Sequence, residues 1–352
     1  MKHKKSALAL LLALVLAIGA LGCAAETKAP STADANATPA ATEAPATETP
    51  AATEAPDGML TIGILQYVTH DALDAAREGF VQALADNGFV EGQNVTFDVQ
   101  NAQADSSNLS TMSNRFVNNK VDLVLAIATP AAQSIASLTT EIPILFTAVT
   151  DPVGARLVES TQAPGGNITG TNDMNPIAEQ LDLLVKLAPT AKTVGLLYTS
   201  SEDNSVIQAE IVKAEAAKRG LAVVEQTVTN ANDVQQAAQS LVGKCDAIYI
   251  PTDNTLASAM PTVGAVAEEA NIPVVCGESN MVLAGGLATL GINYYNLGYQ
   301  TGEMAVRVLN GESTATIPVE SLQKFDFTIN GTVAAAIGLT IPNDLTQYVV
   351  NP

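Results

Sequence analysis

The sequence predicts an α/β protein built as two doubly wound parallel-sheet lobes. Three observations carry this expectation. Apolar strand segments alternate with helical segments from Leu60 onward, the alternation restarts at about Ile177, and no apolar stretch in this region is long enough to cross a bilayer.

The elements follow in order. Leu60–Leu65 is a short apolar strand, and Leu73–Ala85 has helical periodicity that ends at the C-cap signal Asn87-Gly88. Val95–Val99 reads as a strand and Leu109–Asn118 as a helix. The nearly unbroken apolar run Val121–Ile127 suits a central parallel strand buried on both faces. A helix opens at Pro130, a favoured first helical position, and strands at Ile142–Phe146 and Gly166–Gly170 complete the first half. The second half holds helix Ile177–Leu187, strand Thr193–Tyr198, a long helix to Lys218 and strand Leu221–Gln226. Helix Val234–Leu241, strand Ala247–Ile250, a helix to Ala270 and strands Pro273–Val275 and Ala288–Ile292 come next. Helix Leu297–Leu309, strand Phe325–Ile329 and a short helix at Val333–Ile337 close the chain.

The region before Met59 is different in kind. Lys2, Lys4 and Lys5 precede an uncharged Ala/Leu-rich run from Ala7 to Leu21, then Ala20-Leu21-Gly22-Cys23. Basic, apolar and small-residue parts in that order describe a secretory signal peptide over residues 1–22. The Cys after Gly22 resembles a bacterial lipobox, which implies cleavage before Cys23 and diacylation of its thiol. Ala20 stands where lipoboxes usually carry Leu. From Ala24 to Asp57, near-repeats such as Ala41-Thr42-Glu43-Ala44-Pro45 contain almost no large apolar residue. Such a stretch cannot bury enough surface to offset its ordering entropy, so residues 23–58 read as a lipidated, disordered tether.

Composition excludes several functions. Acidic residues outnumber basic ones 36 to 16 and no dense basic cluster occurs, so nucleic acid is not an expected partner. The three cysteines leave Cys245 and Cys276 once Cys23 is lipidated. One opens a strand and the other closes one, which keeps the thiols too far apart for a disulfide. No Gly-x-Gly-x-x-Gly follows the first strand, and no phosphate-cradling Gly-x-x-x-x-Gly-Lys-Ser/Thr loop occurs. Only His3 and His70 are present, so neither a catalytic triad nor a His-based metal site has support, and His70 reads as a polar loop residue. No catalytic residue, metal or cofactor is expected. A two-thiol racemase fails for want of a base beside either cysteine.

In open parallel sheets, ligands bind beyond the carboxyl ends of the strands. The junctions there are Gln66-Tyr67, Thr129-Pro130-Ala131, Thr147 to Asp151, Thr199-Ser200-Ser201 through Asn204-Ser205, Pro251-Thr252-Asp253-Asn254 and Gly277-Glu278-Ser279-Asn280. They carry hydroxyls, amides and carboxylates, and none carries Lys or Arg. This set suits a small zwitterion. Thr129 and the free N–H groups of the following helix suit a carboxylate. Ser200, Ser201 and Ser205 add donors, while Asp253 and Glu278 are candidates to neutralise an ammonium. Helix capping explains any one junction alone. Polar residues at nearly all of them, after apolar strands, favour a site. Gln66, Tyr67, Tyr198 and Tyr294 are candidates for packing the ligand side chain.

At these junctions the chain resembles bacterial ABC-transporter substrate-binding proteins of the tryptophan/phenylalanine-binding type, with the type I periplasmic-binding fold. The resemblance rests on Gly63-Ile64-Leu65-Gln66, Ala72 to Phe80, Ala128-Thr129-Pro130-Ala131-Ala132-Gln133, Thr147 to Val153, Leu197 to Glu202, Pro251 to Asn254 and Ala284 to Tyr295. It implies two hinged lobes that close on an amino acid, often aromatic, with the ligand's polar groups near Thr129, Ala131, Ser200, Ser205 and Asp253. The chain would cross between lobes three times, giving lobe one at 59–170 and 293–323 and lobe two at 171–292 and 324–352. The implied partners are an ABC permease and ATPase, with the protein itself a monomer. Where many relatives have Glu-His-Pro, this chain has Thr69-His70-Asp71, which leaves the ligand side chain open. A sensing lipoprotein that feeds a receptor, or a cleft for a nucleoside or sugar, would need the same junctions.

Overall fold

The computed structural model describes residues 58–352. The expected signal peptide, Cys23 and nearly all of the tether lie outside the described residues.

The first half runs β1 (Leu60–Gln66), α1 (Asp71–Asp86), β2 (Val95–Asn101), α2 (Ser106–Asn119), β3 (Leu123–Ile127), α3 (Thr129–Ala136), β4 (Ile144–Val149) and β5 (Ile168–Asn172). The second runs α4 (Ile177–Leu187), β6 (Thr193–Thr199), α5 (Asp203–Lys218), β7 (Ala222–Val228), α6 (Val234–Leu241), β8 (Ala247–Ile250), α7 (Asn254–Ser258), α8 (Met260–Glu269), β9 (Val274–Cys276), α9 (Ser279–Leu283) and β10 (Ala288–Gly291). The remainder is α10 (Tyr294–Leu309), β11 (Glu320–Ser321), β12 (Asp326–Asn330), α11 (Gly331–Ala336) and β13 (Val349–Val350).

These strands form two sheets, in the orders β11-β5-β4-β3-β1-β2 and β13-β12-β10-β9-β8-β6-β7. β3 is buried along its whole length, as its apolar run requires. The first sheet is parallel throughout. The second departs from the expected all-parallel arrangement, because β12 pairs antiparallel with β10, Ala288 opposite Ile329. β12 arrives from β11 in the other sheet rather than from a helical crossover, so nothing imposes the parallel direction. β5 also continues to Asn172, past the Gly170 expected as its end.

The sequence returns to the first lobe through α10, which lies against α1 at very short range. A Cβ on Gly298 would stand 1.8 Å from the Ala76 carbonyl oxygen, and one on Gly79 would stand 2.0 Å from that of Tyr295. Backbones this close need hydrogen at both positions. The core beneath joins Phe80 and Leu84 of α1 to Leu297 and Met304 of α10. Separate apolar clusters line the two faces of the second sheet. Among the described residues no helix is long and apolar enough to cross a membrane.

Candidate functional site

The carboxyl ends of both sheets converge on one narrow cavity, with about 290 Å³ of empty space including its mouth. The first lobe contributes His70 and Leu73 after β1, and Ala148 and Thr150 at the end of β4. The second contributes Asn204 after β6, Thr252, Asp253 and Asn254 after β8, and Glu278 after β9. Asp173 and Tyr294 stand at two of the strand ends where the chain passes between the sheets. No Lys or Arg lines this cavity.

Local backbone geometry aims some of these groups. The β4–β5 register shifts between Phe146 and Val149, and Ala148 sits there with φ of 55°. Gly170 opposite must lack a side chain, since a Cβ would stand 2.0 Å from the Phe146 oxygen. The resulting irregularity turns Ala148 and Thr150 toward the cavity.

The lobes are bonded across the cleft. Gln133 Nε2 of α3 donates to Asp203 Oδ2 of α5 at 2.8 Å, and Gln208 Nε2 donates to Thr150 Oγ1 at 3.4 Å. His70 Nε2 lies 3.4 Å from Asn254 Oδ1.

The carboxylates are of two kinds. Asp253 accepts from Thr199 N at 2.6 Å, Thr199 Oγ1 at 2.8 Å and Leu256 N at 2.8 Å, and Ser205 also bonds it. Glu278 accepts from Asn280 N at 2.6 Å and Met281 N at 2.8 Å. Both therefore cap helices, with each carboxylate oxygen accepting at least one hydrogen bond from the protein. Glu202, fully buried behind Asp253, accepts from the N–H groups and side chains of Asn254 and Thr255. Asp173 is different. Its Oδ2 accepts from Tyr294 Oη at 2.6 Å, while its buried Oδ1 makes no hydrogen bond of ordinary geometry and has the Thr150 hydroxyl as a neighbour. Asn204 Oδ1, also on the cavity wall, is likewise buried and unpartnered.

Burial without a cation shifts these groups toward neutrality. It raises the Asp173 carboxyl, and it pushes Glu278 up to about 7. Burial also raises both members of the close pair Glu202 and Asp253. The same burial lowers His70 to about 4, keeping its ring neutral. A cation entering here would restore the charged carboxylates.

The expected site residues divide clearly. Asp253, Glu278 and Tyr294 line the cavity. Tyr67 is buried with its hydroxyl facing Glu202, Asp253 and Thr255 of the other lobe, and Ser205 is buried beside Asp253. Thr129 and Ala131 are buried at the start of α3, and the Thr129 hydroxyl is unpartnered.

The others are engaged elsewhere. Gln66 bonds Val68 O, Asp74 and Arg77 inside its own lobe. Thr147 bonds Thr171, and Asp151 accepts from the N–H groups of Val153 and Gly154 in its own turn. Ser200 and Ser201 donate to Val228 O and Thr229 O, which ties their exposed loop to the β7 end. Tyr198 donates to Glu225 on the far side of the strand pair. Asp173 lies outside the junctions read from the sequence, and His70, read there as a polar loop residue, lines the cavity. Asp253 and Glu278, the residues expected to meet an ammonium, line the cavity and also accept hydrogen bonds from the protein.

A cleft between two α/β lobes, walled by strand-end acceptors and bridged by side-chain bonds, defines a solute-binding protein. The chain belongs to the family described as ABC transporter substrate binding protein, whose model matches residues 61–351. It is 44% identical over 289 residues to the tyrosine-binding protein of Clostridioides difficile (strain R20291), covering 82% of this chain and 84% of that one. A structure from Streptococcus pneumonia, an ABC domain in complex with L-Trp, is 40% identical with a TM-score of 0.81, covering 83% of this chain and 100% of that one. A ligand-free, open substrate-binding protein with adhesive properties from Clostridium difficile is 46% identical, covers 83% and 99%, and has a TM-score of 0.65. The higher identity accompanies the poorer superposition. The present structure superposes better on the L-Trp complex than on the ligand-free, open structure.

Among the described residues, no group of three or more His, Cys, Asp or Glu is placed to hold a metal ion. Cys245 and Cys276 are free.

Proposed function

We propose that this protein captures a free aromatic L-amino acid and presents it to the permease and ATPase of an ABC importer. The observation that carries the reading is the pair of unpartnered, buried acceptors on one cavity wall, Asp173 Oδ1 and Asn204 Oδ1, with no Lys or Arg beside them. An ammonium supplies N–H donors to both and neutralises Asp173. The ligand carboxylate goes to the start of α3, where Thr129 keeps an unpartnered hydroxyl and Ala131 a first-turn N–H. The aromatic preference is supported by the relatives, one named for tyrosine and one in complex with L-Trp.

In this reading the chain acts as a binder, without catalysis. It works as a monomer, with lobe one at 59–170 and 293–323 and lobe two the rest of the folded part. Cys23 carries a lipid that holds it on the outer face of the cell membrane, and residues 24–58 form the tether. The Ala20-Leu21-Gly22-Cys23 sequence behind a basic and apolar leader supports that placement. Titration calorimetry of the purified protein against each amino acid tests the reading. Binding of an aromatic amino acid, tighter than of aliphatic or acidic ones, is expected, and no binding of any amino acid would refute it.

A further inference from the structure

His70 precedes α1 with extended backbone and forms part of the cavity wall. Its proton position follows from a chain of contacts. Asn254 Nδ2 donates to Glu202 Oε2 at 2.6 Å, which fixes the amide, because the reverse orientation would set its oxygen against a carboxylate. Asn254 Oδ1 therefore faces His70 Nε2 at 3.4 Å, a contact that favours the tautomer with its hydrogen on Nε2. A neutral ring so arranged leaves Nδ1 as a bare acceptor. Nδ1 is buried and has no protein partner.

The ring also borders a second space, of about 590 Å³ including its mouth, whose walls mix apolar Ala257, Pro261, Met281 and Ala284 with polar groups that include Asp71, Glu278 and Asn280. Asp173 and Asn204 line only the first cavity, whereas His70, Ala257 and Glu278 line both. An amino acid whose ammonium lies on Asp173 would bring its side chain toward His70, at the boundary of the two spaces.

We infer that His70 is a specificity-determining residue: Nδ1 accepts a hydrogen bond from an O–H or N–H on the ligand's aromatic ring, so the cleft prefers tyrosine or tryptophan to phenylalanine. The inference rests on the amino-acid reading above. Phenylalanine would leave Nδ1 buried and unpaired, at a loss of roughly ten- to a hundredfold in affinity. Glu202 and Asn254 are positioning residues that hold the acceptor tautomer.

The test is calorimetric titration of L-tyrosine, L-tryptophan and L-phenylalanine into wild type, His70→Phe and His70→Asn, with thermal melts to establish folding. Wild type is expected to prefer at least one ring donor over phenylalanine by about tenfold or more. His70→Phe removes that preference while its phenylalanine affinity stays within a few-fold. His70→Asn, whose Oδ1 can replace Nδ1, retains part of the preference. The inference is overturned if wild type binds all three alike, if His70→Phe keeps the preference, or if it weakens all three in proportion. If His70→Phe does not fold, His70→Ala takes its place: a preference for ring donors that survives in it overturns the assignment. Wild type that binds none of the three removes the amino-acid reading itself, a result distinct from equal binding.

Discussion

Tyr294 donates its hydroxyl to Asp173 Oδ2 at 2.6 Å, joining the end of β5 to the start of α10 where the chain passes between the lobes. The bond fixes the carboxylate and leaves Oδ1 toward the cavity. One oxygen is anchored and the other is available.

Asp173→Asn keeps the shape but removes the charge. Losing one partner of a buried charge pair costs roughly 2–5 kcal/mol, or about 30-fold to several thousand-fold in affinity. Tyr294→Phe leaves the charge in place and frees Oδ2, so its loss is expected near 1 kcal/mol. Asp253→Asn is expected to act chiefly on stability, because that side chain caps α7. Calorimetry for affinity and thermal melts for stability separate the three variants.

Affinity is expected to rise with pH. Burial raises Asp173, and an ammonium stabilises its ionised form, so binding releases a proton and weakens as pH falls through the raised value. The dependence of binding enthalpy on buffer ionisation heat measures that proton directly.

Stability of the ligand-free protein has a pH dependence of its own. Glu278, raised to about 7, takes up a proton on folding between roughly pH 4.5 and 7, so its contribution falls as pH rises through that window. His70, lowered to about 4, acts oppositely between roughly pH 4 and 6.5. Glu278→Gln should flatten the decline toward pH 7 in thermal melts, and His70→Asn should steepen it.

Gly298→Val would force a side chain into the Ala76 carbonyl. Overpacking of this kind costs roughly 1–3 kcal/mol, and here backbone is the obstacle, so the upper end is expected. Denaturant unfolding measures the loss.

Much of the architecture was legible because burial on both faces demands an unbroken apolar run, as in Leu123–Ile127, and amphipathic helices repeat visibly, as in Ile177–Leu187. The strand-end rule led to the cavity through Pro251-Thr252-Asp253-Asn254 and Gly277-Glu278. It missed Asp173 because Thr171 and Asn172 are polar, so β5 reads as ending at Gly170, although both pair with β11. His70 lacks a local motif, and its tautomer depends on Asn254, 184 residues away. The direction of β12 is set by its arrival from the other sheet, which hydrophobic periodicity does not encode.

The central claim is that an ammonium completes Asp173. The most direct measurement compares L-tyrosine with its des-amino analogue, 3-(4-hydroxyphenyl)propionate, by titration calorimetry on wild-type protein. The two share ring, hydroxyl and carboxylate and differ only at the amine. L-Tyrosine is predicted to bind at least about 30-fold more tightly, the lower bound for a buried charge partner. Equal affinity for the two would contradict the account.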